Sequence, residues 1–208
     1  MKTAQADLTT GPLGKKIFRF SIPLIFSNLL QVLFNMADVS VVGRFAGSTA
    51  LGAVGSTTIF VSLFTGFLIG LSGGVNVLVA HHFGADDQKN LSDTVHSAAL
   101  TCAAAGLVLG IGCGFAGGIL RALNTKPELM DGAVLYLRIY CLGMPALAVY
   151  NFGNAVFSAV GDTRRPLYYL SIAGVINVVL NLFFVIVCNM DVAGVAVASI
   201  ISQYPPFW

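Results

Sequence analysis

The chain has 208 residues, 56% of them hydrophobic and only 10% charged, with a mean hydropathy of +0.84, whereas a soluble domain carries about 25% charged residues. Eleven Lys and Arg with nine Asp and Glu cannot cover a water-facing surface, so composition excludes a soluble globular protein and sets most of the chain against lipid. A net charge of +2 without a basic cluster longer than two residues leaves nothing for a nucleic acid to bind, and no nucleic-acid partner is expected.

Charged residues act as punctuation. Residues 1–16 read as a short cytoplasmic segment, and residues 17–204 as one helical transmembrane bundle. The first uncharged run, 20–37, follows Lys15, Lys16 and Arg19 in the manner of a signal peptide. It is longer than a signal h-region and has no small-x-small cleavage site, so it reads as a retained span. Runs at 45–80, 94–120, 139–161 and 166–190 each reach the roughly 20 residues a helix needs to cross hydrocarbon. They are too continuous for barrel strands. The sixth run, 192–204, ends at Pro205 and Pro206 and reads as a span cut short, leaving 205–208 as an atypical tail. Pro23 and Pro145 fall inside spans, where proline bends helices.

The connecting segments HHFGADDQKN, RALNTKPELMDG and GDTRRP are short and polar, with no linker that would mark a second domain. Lys2, Lys15, Lys16, Arg19, Lys89, Arg164 and Arg165 fall on one side, against Arg44, Arg121, Lys126 and Arg138 on the other. The positive-inside bias therefore predicts a multi-pass protein of the plasma or inner membrane with a cytoplasmic N-terminus.

Gly66, Gly70 and Gly74, and then Gly106, Gly110, Gly114 and Gly118, recur every four residues. Such stripes predict close helix packing in lipid. Cys102, Cys113, Cys141 and Cys188 lie in apolar sequence without metal-ligand spacing and read as small buried hydrophobes. Gly112-x-Gly114-x-x-Gly117 fits a dinucleotide fingerprint but sits inside an apolar run, without the strand and exposed helix start that motif requires. The sequon at Asn90 falls in a predicted cytoplasmic loop. His81, His82 and His96 read as solvated loop histidines. No convincing nucleophile–base pair emerges, so neither an enzyme nor a resident metal or cofactor is expected.

Asp38 is the outlier among the carboxylates, with apolar sequence on both sides. A charge inside a bilayer costs at least about 2.5–3.5 kcal/mol and usually faces a cavity or bundle interior. Asn28, Gln31, Asn35 and Asp38, at steps of three, four and three, share one helical face. Polar stripes recur at Thr58, Ser62, Thr65, Ser72 and Asn76, at Asn151, Asn154 and Ser158, and at Asn177 and Asn181. Any one stripe is as well explained by interhelical hydrogen bonds as by ligand binding; their convergence argues for a cavity. One carboxylate among neutral amides suits a proton or a hard cation such as Na⁺, and the residues do not choose between them.

The segments IPLIFSNLLQVLFNMADVSVVGR, AHHFGADD, GDTRRP and NVVLN, in that order, resemble the N-terminal bundle of MATE (multidrug and toxic compound extrusion) transporters. The likeness runs from about Gly11 to Ser202. It implies an all-α integral membrane fold, the N-terminal six-helix bundle with its sixth helix truncated. The implied function is a cation-coupled (H⁺ or Na⁺) multidrug efflux antiporter for drug-like cationic or amphipathic compounds. The implied cation site is Asp38, Asn154, Asn177 and Ser199. Where some members carry a second Asp, this chain has Asn181. The partner implied beyond substrate and lipid bilayer is a C-terminal bundle this chain lacks. Two alternatives stay open: a flippase for a lipid-linked substrate, which a basic cavity lining would favour, and a non-transporting membrane remnant.

Overall fold

The computed structural model describes residues 13–203; the predicted tail at 205–208 and residues 1–12 lie outside them. Eight α-helices occur among the described residues: α1 Leu13–Val41, α2 Gly47–Gly84, α3 Gln88–Gly112, α4 Ala116–Ala122, α5 Pro127–Leu142, α6 Met144–Ala159, α7 Arg164–Leu182 and α8 Asp191–Gln203. There is no strand among the described residues. Local chemistry places the breaks. α1 reaches α2 through a π-helical turn, Val42–Ala46, and Gly47 takes φ 85°, a left-handed conformation that costs glycine little. The Asp87 side chain caps α3 by accepting from the Asn90 N–H. α3 and α4 join through a 3-10 turn at Cys113–Phe115.

Three apolar helical stretches are long enough to cross a bilayer: Ile17–Gly84, Gln88–Ala122 and Arg164–Val187. The pair Pro127–Leu142 and Met144–Ala159, bent by 49°, makes a fourth if taken as one span. The bend follows from Pro145, which has no N–H to offer the Cys141 carbonyl one turn earlier. Pro23 lies within a continuous α1. The expected start of the fourth run at 139 needs correction, because helix begins at Pro127 and carries Arg138 within it. Arg138 is exposed; a long cationic side chain on an outer face can remain in a helix by reaching toward water.

α2 packs against α3, α5 and α6, α1 against α7, and α8 against both α5 and α7. Leu68, Leu120, Leu137, Met144 and Val195 are fully buried at the centre. The glycine stripes divide. A Cβ on Gly106 would lie 2.8 Å from the Ala148 Cβ and 2.9 Å from the Pro145 Cα, and one on Gly110 would lie 3.2 Å from the Cys141 carbonyl oxygen. Close packing is therefore real for that half of the α3 stripe. Gly66, Gly70, Gly74, Gly114 and Gly118 have nothing within 4 Å of such a Cβ, which corrects the expectation for them: spacing alone does not say which face meets a neighbour.

The cysteine reading also needs correction. Cys113 and Cys141 form a disulfide, Cys102 is buried and free, and Cys188 is exposed. The bond fastens the 3-10 break after α3 to the residue two places before Gly143, where α5 gives way to α6.

Candidate cation site within the bundle

The site begins with the packing of α1 on α7. Gly174, buried on α7, admits the Phe34 ring where any Cβ would overlap it. One turn further along α1 stands Asp38, and one and two turns further along α7 stand Asn177 and Asn181. The Asn181 Nδ2 donates to Asp38 Oδ1 at 2.5 Å and to Asn177 Oδ1 at 3.1 Å. Asn177 Nδ2 donates to Ser202 Oγ at 3.3 Å, and Ser202 Oγ donates to the Ser199 carbonyl at 2.9 Å. A chain of hydrogen bonds thus runs from α8 through α7 to the one carboxylate of α1. Asn177 and Asn181 are 7% and 0% exposed. The Asn181 Oδ1 is buried without a protein hydrogen-bond partner, a state that buried polar atoms seldom keep without an ordered water or ion to complete them.

A cavity of about 190 Å³ opens beside this chain. Gln31, Asn35, Asp38, Asn177 and Ser199, all singled out in the sequence, line it, and no Lys or Arg is in the lining. Asn181 joins through its bond to Asp38. Asn28 is exposed and outside the lining, and Asn154 stands one turn beyond Tyr150, the last residue of α6 to reach the cavity. Neither therefore lines this cavity, where the stripes were expected to converge. The stripes run over more helical turns than so small a space can touch, so only their middle portions converge. Asn151 satisfies its amide on its own helix, donating to the Leu147 carbonyl at 2.8 Å, while Asn76 donates to the Ala155 carbonyl at 2.8 Å and ties α2 to α6. Thr58 and Ser62 are exposed, and α2 gives the cavity only Val61.

The sequence model of the family described as MatE matches residues 23–183, a stretch that contains this whole α1–α7 contact. The chain belongs to the MatE family. Among curated relatives, the probable multidrug resistance protein YpnP of Bacillus subtilis is 34% identical over 200 residues, covering 95% of this chain and 44% of the relative. The probable multidrug resistance protein YoeA of the same organism is 29% identical over 217 residues, covering 100% and 47%. Among solved structures, MATE in the bent conformation aligns with TM-score 0.88 at 25% identity, over 98% of this chain and 45% of that one. A MOP superfamily transporter from Pyrococcus furiosus aligns with TM-score 0.90 at 25% identity, over 98% and 45%. The chain spans about half the length of the curated relatives it matches.

In this MatE chain the cavity wall that sequence reasoning missed is aromatic. Tyr136 and Tyr140 stack with ring centroids 5.8 Å apart and planes 17° from parallel, and Tyr150 completes the lining from α6. Starting the fourth run after Arg138 left Tyr136 outside the span. The i, i+4 spacing of Tyr136 and Tyr140 was the signal that could have found them. Ser202 and Gln203 of α8 also reach the cavity.

Proposed function

We propose that this chain is the cation-binding lobe of a multidrug efflux antiporter, in which H⁺ or Na⁺ entering the Asp38 site is exchanged for a cationic or amphipathic compound. The observation that carries this reading is the pairing of Asp38 with a buried Asn181 whose Oδ1 has no partner, beside a cavity lined by oxygen-bearing side chains and no basic residue. A carboxylate, two amide carbonyls and a serine hydroxyl form a hard oxygen donor set suited to a small cation. A space of about 190 Å³ holds an ion with a few waters, at about 30 Å³ per water. It falls short of the roughly 300–1,000 Å³ typical of drug-sized sites, so the exported compound requires walls beyond this lobe. Tyrosine faces beside Asp38 supply cation–π attraction at the edge of such a path. The names of the relatives support multidrug resistance, and the cytoplasmic N-terminus remains part of this proposal.

Two measurements test it. The reconstituted chain binds radiolabelled Na⁺ or releases protons on Na⁺ addition, and Asp38→Asn abolishes both. A chimera joining this chain to the second half of the Bacillus subtilis relative exports a fluorescent cationic dye along an imposed ion gradient. Unchanged export with Asp38→Asn would remove Asp38 from the mechanism.

A further inference from the structure

The end of the bundle where α1 begins carries a second, opposite arrangement of charge. Thr163 Oγ1 donates to the Phe20 carbonyl at 3.4 Å, tying the first turns of α1 to the turn that precedes α7. Arg19 and Arg164 each neighbour one partner of that bond, so the fold brings them to one rim. Lys15 lies one turn from Arg19 and Arg165 follows Arg164; all four are exposed. Only Arg165 has an acid, with its Nε 3.0 Å from Asp162 Oδ2 and its guanidinium 5.7 Å from the Phe157 ring centroid. Among the described residues no ion pair neutralises Lys15, Arg19 or Arg164. Asp86 and Asp87 sit at the same end but on the α2–α3 turn, with Asp93 early in α3, where Val79, Leu91 and Val95 pack in one cluster with Val160 of α6 that includes no residue of α1.

Three unpaired cations on one rim repel one another unless an anion joins them. The surface directly beyond them is apolar and also exposed: Ile22 and Ile25 on α1, Tyr168 and Ile172 on α7. Cations, then a tyrosine, then branched aliphatic side chains follow the order of a phospholipid's headgroup, interface and acyl chains. A free phosphate has no use for the apolar wall, whereas a lipid uses both parts. We propose that the α1–α7 rim binds the headgroup of an anionic phospholipid through Arg19, Arg164 and Lys15, with an acyl chain along Ile25 and Ile172. This site is separate from the Asp38 cavity and does not depend on the reading of that cavity.

The test uses the full chain in detergent, mixed with phosphatidylglycerol or phosphatidylcholine of identical acyl chains, and native mass spectrometry of the lipid retained. Wild type retains phosphatidylglycerol in preference, and retention falls as salt rises from about 0.05 to 0.5 M. The double variant Arg19→Gln/Arg164→Gln loses about tenfold or more of that preference, while Arg121→Gln/Lys126→Gln, in the last turn of α4 and the connection to α5, keeps it. Equal retention of the two lipids, or a preference that survives in Arg19→Gln/Arg164→Gln, overturns the proposal. Displacement of the lipid by millimolar inorganic phosphate overturns it in favour of a phosphate site. The salt series on wild type decides the matter if the double variant fails to fold.

Discussion

The ring of Phe34 occupies the place that a side chain on Gly174 would need. That contact sets the separation of α1 and α7, and therefore the reach between Asp38 and Asn181. Gly174→Ala would gain up to about 1 kcal/mol of helix propensity but lose about 1–3 kcal/mol to overpacking, so the net effect is destabilising. A lowered midpoint in thermal unfolding, restored by Phe34→Ala in the same chain, is the expected result. A higher midpoint in Gly174→Ala alone would show that α1 and α7 are not held by this contact.

Asn181 both donates to Asp38 and holds an open carbonyl. Asn181→Ala removes two hydrogen bonds, to Asp38 and to Asn177, each worth about 1 kcal/mol, and one proposed cation ligand. Na⁺ binding to the reconstituted chain should weaken by about tenfold or more, with helicity by circular dichroism unchanged. Asn154→Ala, outside the lining, should leave binding within about twofold of wild type.

The disulfide predicts a definite labelling pattern. Without reductant, a maleimide modifies exposed Cys188 quickly and buried Cys102 slowly; after reduction and unfolding, two further sites appear by intact mass. Cys113→Ser should reduce thermal stability, by roughly 2–4 kcal/mol on the chain-entropy account of cross-links.

Packed and open positions of the glycine stripes should respond oppositely to the same change. Gly106→Ala pushes a methyl group into the Pro145 backbone and the Ala148 side chain, neither of which can turn aside, and should destabilise the bundle. Gly70→Ala meets nothing and should be neutral or stabilising by up to about 1 kcal/mol. Parallel melts of the two variants check this.

The start of α3 should be sensitive to acid. The Asn90 side chain, then its backbone N–H, hold the Asp87 carboxyl below the usual carboxylate range. A group lowered on folding stabilises fully above its unfolded value, and that contribution disappears as pH falls through the folded one. Amide exchange in the first turn of α3 should therefore accelerate at low pH, beyond its intrinsic dependence. Asp87→Asn should abolish that acceleration.

Charge-free runs located the helices because an uncompensated charge in lipid is expensive, and the same rule picked out Asp38. It failed at Arg138, where an outward-facing cation pays little of that cost, and the error hid Tyr136. Polar periodicity placed Gln31, Asn35, Asn177 and Asn181 correctly on their faces. It overreached at Asn28 and Asn154, because a face has a direction in sequence while a cavity also has a length. The pairing of Cys113 with Cys141 left no mark, since two cysteines 28 residues apart in apolar runs look the same joined or free.

The break at Gly143 divides the aromatic wall. Tyr136 and Tyr140 precede it, whereas Leu147 and Tyr150 follow it on the other limb of the 49° elbow. Tyr150 stands seven residues past the vertex, about 10 Å along the helix axis. Turning that elbow by about 10° swings Tyr150 through roughly 2 Å, the difference between admitting a water molecule and shutting it out. The wall beside Asp38 is thus shared between two rigid limbs that meet at Gly143, and the Cys113–Cys141 bond pins one of them two residues from their meeting point.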